Sequence, residues 1–117
     1  MIVEFICYTD RGSVRYTINL SAKEIQKSVT SEETRVQVKN RDKFPPPYNC
    51  DVEPLDLEHL TTQNVLKFFE PVSGRWVVDD RLVRAEFSNR EEFERCVWTV
   101  VNRVRKAIRN GQNVQSL

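Results

Sequence analysis

The sequence predicts an α+β fold, in which a single domain has an antiparallel-rich sheet and helices packed mainly on one face. Period-2 alternation of apolar and polar residues occurs at Val14–Leu20 and Thr34–Lys39, and helix-capping patterns precede other segments. Together they give the element order ββαβ–loop–αββα. The length of 117 residues suits one domain with one core, spanning 1–117, with 112–117 as a frayed tail.

The N-terminal segments predict a β-hairpin. Ile2–Thr9 and Val14–Leu20 form its arms, because apolar and polar residues alternate along the second arm as they do in a half-buried strand. Asp10-Arg11-Gly12 between them suits a three-residue loop with Gly12 in the left-handed conformation.

A short helix and a third strand are predicted next. Ser21-Ala22-Lys23-Glu24 has the pattern of a capping box, so a helix is expected to begin at Ala22 and to bury Ile25 and Val29. Thr34–Lys39 alternates again and predicts a strand.

The middle of the chain predicts a long loop, a helix and two strands. Asn40–Asp56 is rich in proline and is expected to be irregular, and such loops in compact domains tend to be functional or loosely ordered. Leu57–Glu70 has the composition of a helix that stops before Pro71. Arg75–Val78 and Leu82–Phe87 predict either a hairpin or one bent strand.

The last predicted element is a long helix from Asn89 to Arg109. The capping box Ser88-Asn89-Arg90-Glu91 opens it, and Asn110-Gly111 is a plausible stop. On a helical wheel the apolar residues of this segment fall on one face, and Trp98 falls outside that face. The members of that face are Phe93, Cys96, Val97, Val100, Val101, Val104, Ala107 and Ile108.

Trp98 and its neighbours form the predicted partner-binding surface. Five cations and no carboxylate occur from Arg95 to Leu117. Three interpretations remain open: complementarity to the helix dipole, a protein-docking face that includes self-association, and phosphate contacts to nucleic acid. The predicted binding residues of this helix are Arg95, Trp98, Asn102, Arg105, Lys106 and Arg109.

The proline-rich loop supplies a second predicted binding element. Pro45-Pro46-Pro47-Tyr48 resembles the P-P-x-Y ligands of WW domains, which would imply a polyproline II segment docked in an aromatic groove. The favoured alternative is a rigid loop, in which Phe44 and Tyr48 pin an extended segment onto the domain.

The sequence contains two candidate catalytic arrangements and favours neither. Cys50 and His59 could act as nucleophile and base, but the sequence around Cys50 has no known nucleophile pattern. Asp10 followed by Gln37-Val38-Lys39 on a strand resembles the metal-dependent nucleases, which would imply an acid that holds a divalent ion and a lysine that stabilises phosphorane charge.

We expect a non-enzymatic protein that binds another protein, because Trp98 lies outside the apolar stripe and the Asn40–Asp56 loop is long. Small single domains of this kind commonly serve as adaptors, inhibitors or subunits, including the accessory proteins of viruses and mobile elements. A net charge of +1 does not indicate nucleic-acid binding, which stays the alternative. The chain has no C-x-x-C, H-x-x-x-H or glycine-rich phosphate loop, so neither a metal nor a cofactor is expected. Three unpaired cysteines and no long apolar run predict a cytoplasmic protein, neither secreted nor membrane-spanning.

Overall fold

The computed structural model describes residues 2–44, 50–81 and 83–111 and contains three helices and one six-stranded sheet. The strands are β1 (Ile2–Tyr8), β2 (Ser13–Asn19), β3 (Glu24–Val29), β4 (Cys50–Pro54), β5 (Arg75–Asp79) and β6 (Arg84–Phe87). The helices are α1 (Glu32–Arg35), α2 (Thr62–Phe69) and α3 (Arg90–Arg109). Every strand pair is antiparallel, in the order β4-β3-β2-β1-β5-β6. The α+β prediction is confirmed.

The core lies between the sheet and the helices α2 and α3. Alternate residues of β1 and β2 face the helices, and Phe5 pairs with Tyr16 in the register that joins these strands. Aromatic rings fill the centre: Trp76 stacks on Phe93 at 4.7 Å between centroids, and Phe69 meets Phe93 edge-on at 5.4 Å. Each ring buries a large apolar area, so this cluster contributes strongly to stability.

The predicted N-terminal hairpin is present, but Gly12 is not left-handed. A Cβ atom on Gly12 would lie 2.6 Å from Thr30 Oγ1 and 2.7 Å from Thr34 Oγ1. Glycine is therefore required by the close approach of two threonine hydroxyls, and the prediction of a positive φ there was wrong.

The helix predicted to begin at Ala22 is instead strand β3. The Asn19 side chain accepts a hydrogen bond from Ala22 N at 3.0 Å in the turn that connects β2 to β3, and Lys23 has φ 55°. Ile25 and Val29 are buried as expected. Residues four apart share a face in both a helix and a strand, and pairing with β2 and β4 decides between them.

The strand predicted over Thr34–Lys39 was also wrong. Ser31 caps a short helix there, since its hydroxyl accepts a hydrogen bond from Thr34 N at 3.2 Å. The alternation of Val36 and Val38 does not reflect a half-buried strand: Val38 is buried, whereas Val36 is 48% exposed in the turn after α1.

The predicted loop Asn40–Asp56 contains a 3-10 turn at Arg41–Lys43 and the edge strand β4, so it is only partly irregular. Asp51 and Glu53 of β4 point to the helix side of the sheet, where both contact Lys27 of β3. Charged residues thus occupy the inward positions of this strand.

The second half follows the predictions more closely. α2 is shorter than predicted and begins after Thr61, whose hydroxyl accepts a hydrogen bond from Asn64 N at 3.0 Å. β5 and β6 form a hairpin and not one bent strand. The cap of α3 is Asn89, one residue later than the predicted Ser88 cap, because the Asn89 side chain accepts from Glu92 N at 3.0 Å.

Candidate functional site: the outer surface of the C-terminal helix

The inner side of α3 is defined by its buried residues. The helix ends at the cap Asn110, followed by Gly111 with φ 66°, as predicted. Its predicted apolar face is turned to the core, with Cys96 and Ile108 packed against the cluster's edge. The fully buried members are Phe93, Val97, Val100, Val101, Val104 and Ala107.

Trp98 lies on the outer side of α3 and is 61% exposed. Asn102, one turn later, donates from Nδ2 to the Trp98 carbonyl oxygen at 2.7 Å and is half-buried. Arg95, Lys106 and Arg109 are exposed on the same helix. We call the group Arg95, Trp98, Asn102, Lys106 and Arg109 the α3 outer surface.

Arg105 does not belong to this surface, because its guanidinium is used inside the fold. Arg105 donates to the carbonyl oxygens of Leu57 at 2.6 Å and Leu60 at 2.7 Å, in the turn that precedes α2. A charged donor that satisfies two carbonyls stabilises that turn. The prediction of Arg105 as a free contact for a partner is therefore corrected to a structural role.

The cations of the neighbouring strands do not extend the α3 outer surface. Arg75 and Arg84 lie on the opposite face of the sheet, beside the ring of Tyr8 at 4.8 and 6.0 Å. Arg84 also donates to the Tyr8 hydroxyl at 3.1 Å, which lowers the pKa of Tyr8. Arg103 of α3 is paired with Asp80. The positive charges around Trp98 are therefore few.

Arg90, in the first turn of α3, is a structural residue that the sequence analysis missed. Its guanidinium donates to the carbonyl oxygens of Phe69 at 2.9 Å and Leu66 at 3.1 Å, at the end of α2. It also lies 5.2 Å from the centroid of the Trp76 ring. Its one sequence signal was a cation at a helix N-terminus, where the helix dipole disfavours positive charge.

Of the two predicted binding residues of the proline-rich loop, the structure describes Phe44 but not Tyr48. Phe44 is 2% exposed and packs on Phe68 with a centroid separation of 6.1 Å. Phe44 therefore anchors the segment in the core and offers no ring to a protein partner at the outer surface, which corrects its predicted role in protein binding. Tyr48 and Pro45-Pro46-Pro47 lie outside the residues that the structure describes.

The predicted Cys50–His59 dyad is not assembled. Cys50 opposes Ser28 in the sheet, on the face opposite to Asp51 and the helices. Burial, followed by the charge of Asp51, raises the pKa of the Cys50 thiol, which disfavours the thiolate. His59 lies before α2 and pairs through Nδ1 with Asp56 Oδ1 at 2.7 Å.

The structure does not support the resemblance to metal-dependent nucleases. Gln37-Val38-Lys39 follows α1 in a turn and not on a strand, and Lys39 pairs with Glu70 at 2.8 Å. Asp10 lies in the exposed hairpin loop. Within residues 2–44, 50–81 and 83–111, no group of three or more His, Cys, Asp or Glu side chains is arranged to hold a metal ion.

The comparisons with known proteins add no family assignment. In the described part of the chain, no helix is both long and apolar enough to cross a membrane. The chain matches no protein-family model, and neither the curated proteins nor the solved structures include a significant match.

Proposed function

We propose that the protein is a binding module that docks another protein on the α3 outer surface, with Trp98 as the central anchor. The observation that carries this proposal is the 61% exposure of Trp98 on a helix whose core-facing side is complete without it. An exposed tryptophan adds little to folding, whereas at an interface it is among the side chains that contribute most binding energy.

The charges around Trp98 favour a protein over a polyanion. Glu94 and Glu91 precede it by about one and two turns of the helix, respectively, and Arg95 and Lys106 complete a mixture of both signs. Arg105 is occupied by carbonyl oxygens, and Arg75 lies on the other face of the sheet. Nucleic-acid binding would instead require cations that converge on one groove.

The test compares three immobilised proteins: wild type, Trp98→Ala and Val83→Ala. Val83 is also 61% exposed, so its variant removes part of another exposed apolar side chain, smaller than tryptophan, outside the α3 outer surface. Proteins from the source cell that wild type and Val83→Ala retain, and Trp98→Ala releases, are identified and purified. Direct titration should then show that Trp98→Ala costs about 2 kcal/mol or more of binding free energy.

Folding and association are measured on the same variants. The denaturation midpoint of Trp98→Ala should match that of wild type, and sedimentation at several concentrations tests whether the partner is a second copy of the chain. Equal retention by all three proteins would contradict the proposal. Retention of single-stranded DNA that falls steeply with salt would support the nucleic-acid alternative in its place.

A further inference from the structure

A cavity of about 310 Å³ lies between the β3–β4 edge of the sheet, the 3-10 turn and α2. Aromatic side chains form part of its wall, since Phe68 lies 5.9 Å from the Tyr16 ring and 6.1 Å from the Phe44 ring between centroids. Its volume is at the small end of the range of cavities that hold small organic ligands. Trp98 does not line this cavity, so the argument is independent of the protein-docking proposal.

Tyr16 gives the cavity an unpartnered polar group. The residue is 1% exposed, and its buried hydroxyl has no hydrogen-bond partner among the residues that the structure describes. A buried hydroxyl without a partner is unfavourable, so such groups are rare unless something else supplies the partner. Burial, followed by the charge of Glu53, raises the pKa of Tyr16, so the hydroxyl stays protonated and is a donor.

The charged side chains that line the cavity have an excess of cations. The charge of Lys27 is neutralised by two carboxylates. Its ammonium group lies 2.8 Å from Glu53, and it lies 3.4 Å from Asp51 in an ion pair without hydrogen-bond geometry. Two further lysines line the 3-10 turn side: Lys39, which also pairs with Glu70 at 2.8 Å, and Lys43, which lies 4.0 Å from Asp51.

Lys67 completes the basic rim from the α2 side. Its side chain is exposed, and within the described residues its ammonium group has no carboxylate partner. His59, near the start of α2, also lines the cavity, and Asp56 raises the pKa of its imidazole. The rim is therefore suited to an anion, and lysine ammonium groups are common ligands of phosphate.

We propose that this cavity binds a small organic phosphate that carries a ring, of the size of a mononucleotide. The ring contacts the aromatic wall formed by Phe44 and Phe68, a polar atom of the ligand accepts a hydrogen bond from the Tyr16 hydroxyl, and the phosphate contacts the lysines of the rim. Both parts of the ligand are required, because neither the aromatic wall nor the mobile lysine side chains alone would hold a molecule firmly.

The test uses NMR chemical-shift titration with adenosine monophosphate, phenyl phosphate, adenosine and inorganic phosphate. Phenyl phosphate and adenosine monophosphate should shift the amide signals around the cavity, with the other two probes at least about tenfold weaker. Tighter binding of adenosine monophosphate than of phenyl phosphate would identify the ligand as a nucleotide, and the reverse order would indicate a phosphorylated phenyl ring. Equal response to inorganic phosphate would reveal unspecific anion binding and overturn the proposal.

Variants test the named groups. Tyr16→Phe removes only the hydroxyl and should weaken binding of the better probe about fivefold or more, which corresponds to roughly 1 kcal/mol. Lys67→Gln should weaken it as well, whereas Arg75→Gln, which removes a charge from the opposite face of the sheet, should not.

The ligand-free stability of Tyr16→Phe provides a second measurement. The unfolding midpoint should equal or exceed that of wild type, because the variant loses a hydroxyl that has no partner within residues 2–44, 50–81 and 83–111. A clearly lower midpoint would mean that water or Glu53 already satisfies the hydroxyl, which would overturn the proposal. Binding that is unchanged in both Tyr16→Phe and Lys67→Gln would do the same.

Discussion

Removal of the Arg90 side chain should destabilise the protein more than the loss of a surface ion pair would. Arg90 donates to Phe69 O at 2.9 Å and Leu66 O at 3.1 Å, and weaker contacts reach the carbonyl oxygens of Glu70 and Val72. These groups end α2, where carbonyls lack partners within the helix. We therefore expect Arg90→Ala to leave Leu66 O to water or to no partner, and to leave Phe69 O with only the longer bond from Val72 N at 3.2 Å.

The magnitude follows from the geometry. A hydrogen bond from a charged donor contributes about 1.5–3 kcal/mol, so the two short bonds of Arg90 set an upper range of about 3–6 kcal/mol. The Arg90 side chain is 30% exposed, so water recovers part of this loss. Contact with the Trp76 ring adds about 0.5–2 kcal/mol, and removal of a cation from the helix N-terminus returns about 0.3–1 kcal/mol. The expected loss for Arg90→Ala is about 2–4 kcal/mol.

Urea denaturation measures this loss and separates its causes. With a slope of about 2 kcal/mol per molar, the Arg90→Ala midpoint should fall by about 1–2 M. Glu94→Gln removes only the ion pair with Arg90 at 2.9 Å and should cost no more than about 0.5 kcal/mol. Arg90→Lys keeps the charge but lacks the planar fork, so it should recover less than half of the loss. An Arg90→Ala midpoint equal to that of Glu94→Gln would refute the reasoning.

Two further outcomes are expected. A Cβ atom at Gly74 would lie 2.1 Å from the Tyr8 carbonyl oxygen, a backbone atom that cannot rotate away, so Gly74→Ala should lose about 1–3 kcal/mol in thermal unfolding while Ser73→Ala changes little. The hydrogen bond that His59 Nδ1 donates to the Asp56 carboxylate raises the pKa of His59, so this pair's stabilisation is present below the ordinary histidine pKa of about 6.5 and is lost as pH rises through the raised value. NMR titration should show a lower His59 pKa in Asp56→Asn, and an unchanged pKa would contradict this cause.

The elements that sequence predicted correctly are those with strong local signals. α3 carries an uninterrupted apolar stripe with a cap at each end, and the hairpin β1–β2 has strict alternation in β2. These patterns need no information from distant residues. Trp98 was likewise placed outside the apolar stripe by periodicity alone, and it is exposed.

The elements that sequence predicted wrongly are those whose conformation depends on distant partners. Ile25 and Val29 have the same spacing on a helix and on a strand, and only the flanking strands distinguish the two. β4 reverses the usual pattern: Asp51 and Glu53 point inward to Lys27, while Val52 is 51% exposed. A rule that assigns apolar residues to the inward positions cannot find such a strand. The cavity beside β4 could not be predicted from the sequence for the same reason.

Arg90 and Arg105 link the two proposed sites through α2. Arg105 satisfies carbonyls in the turn before α2, and Arg90 satisfies those at its end, so α3 holds α2 at both termini. α2 in turn supplies Lys67 and Phe68 to the cavity. The inner side and the ends of α3 therefore maintain the fold and the wall of the cavity. Trp98 lies on the outer side and is 61% exposed. A loss of binding in Trp98→Ala can accordingly be attributed to the surface, whereas Arg105→Glu would disturb α2 and could not be interpreted in that way.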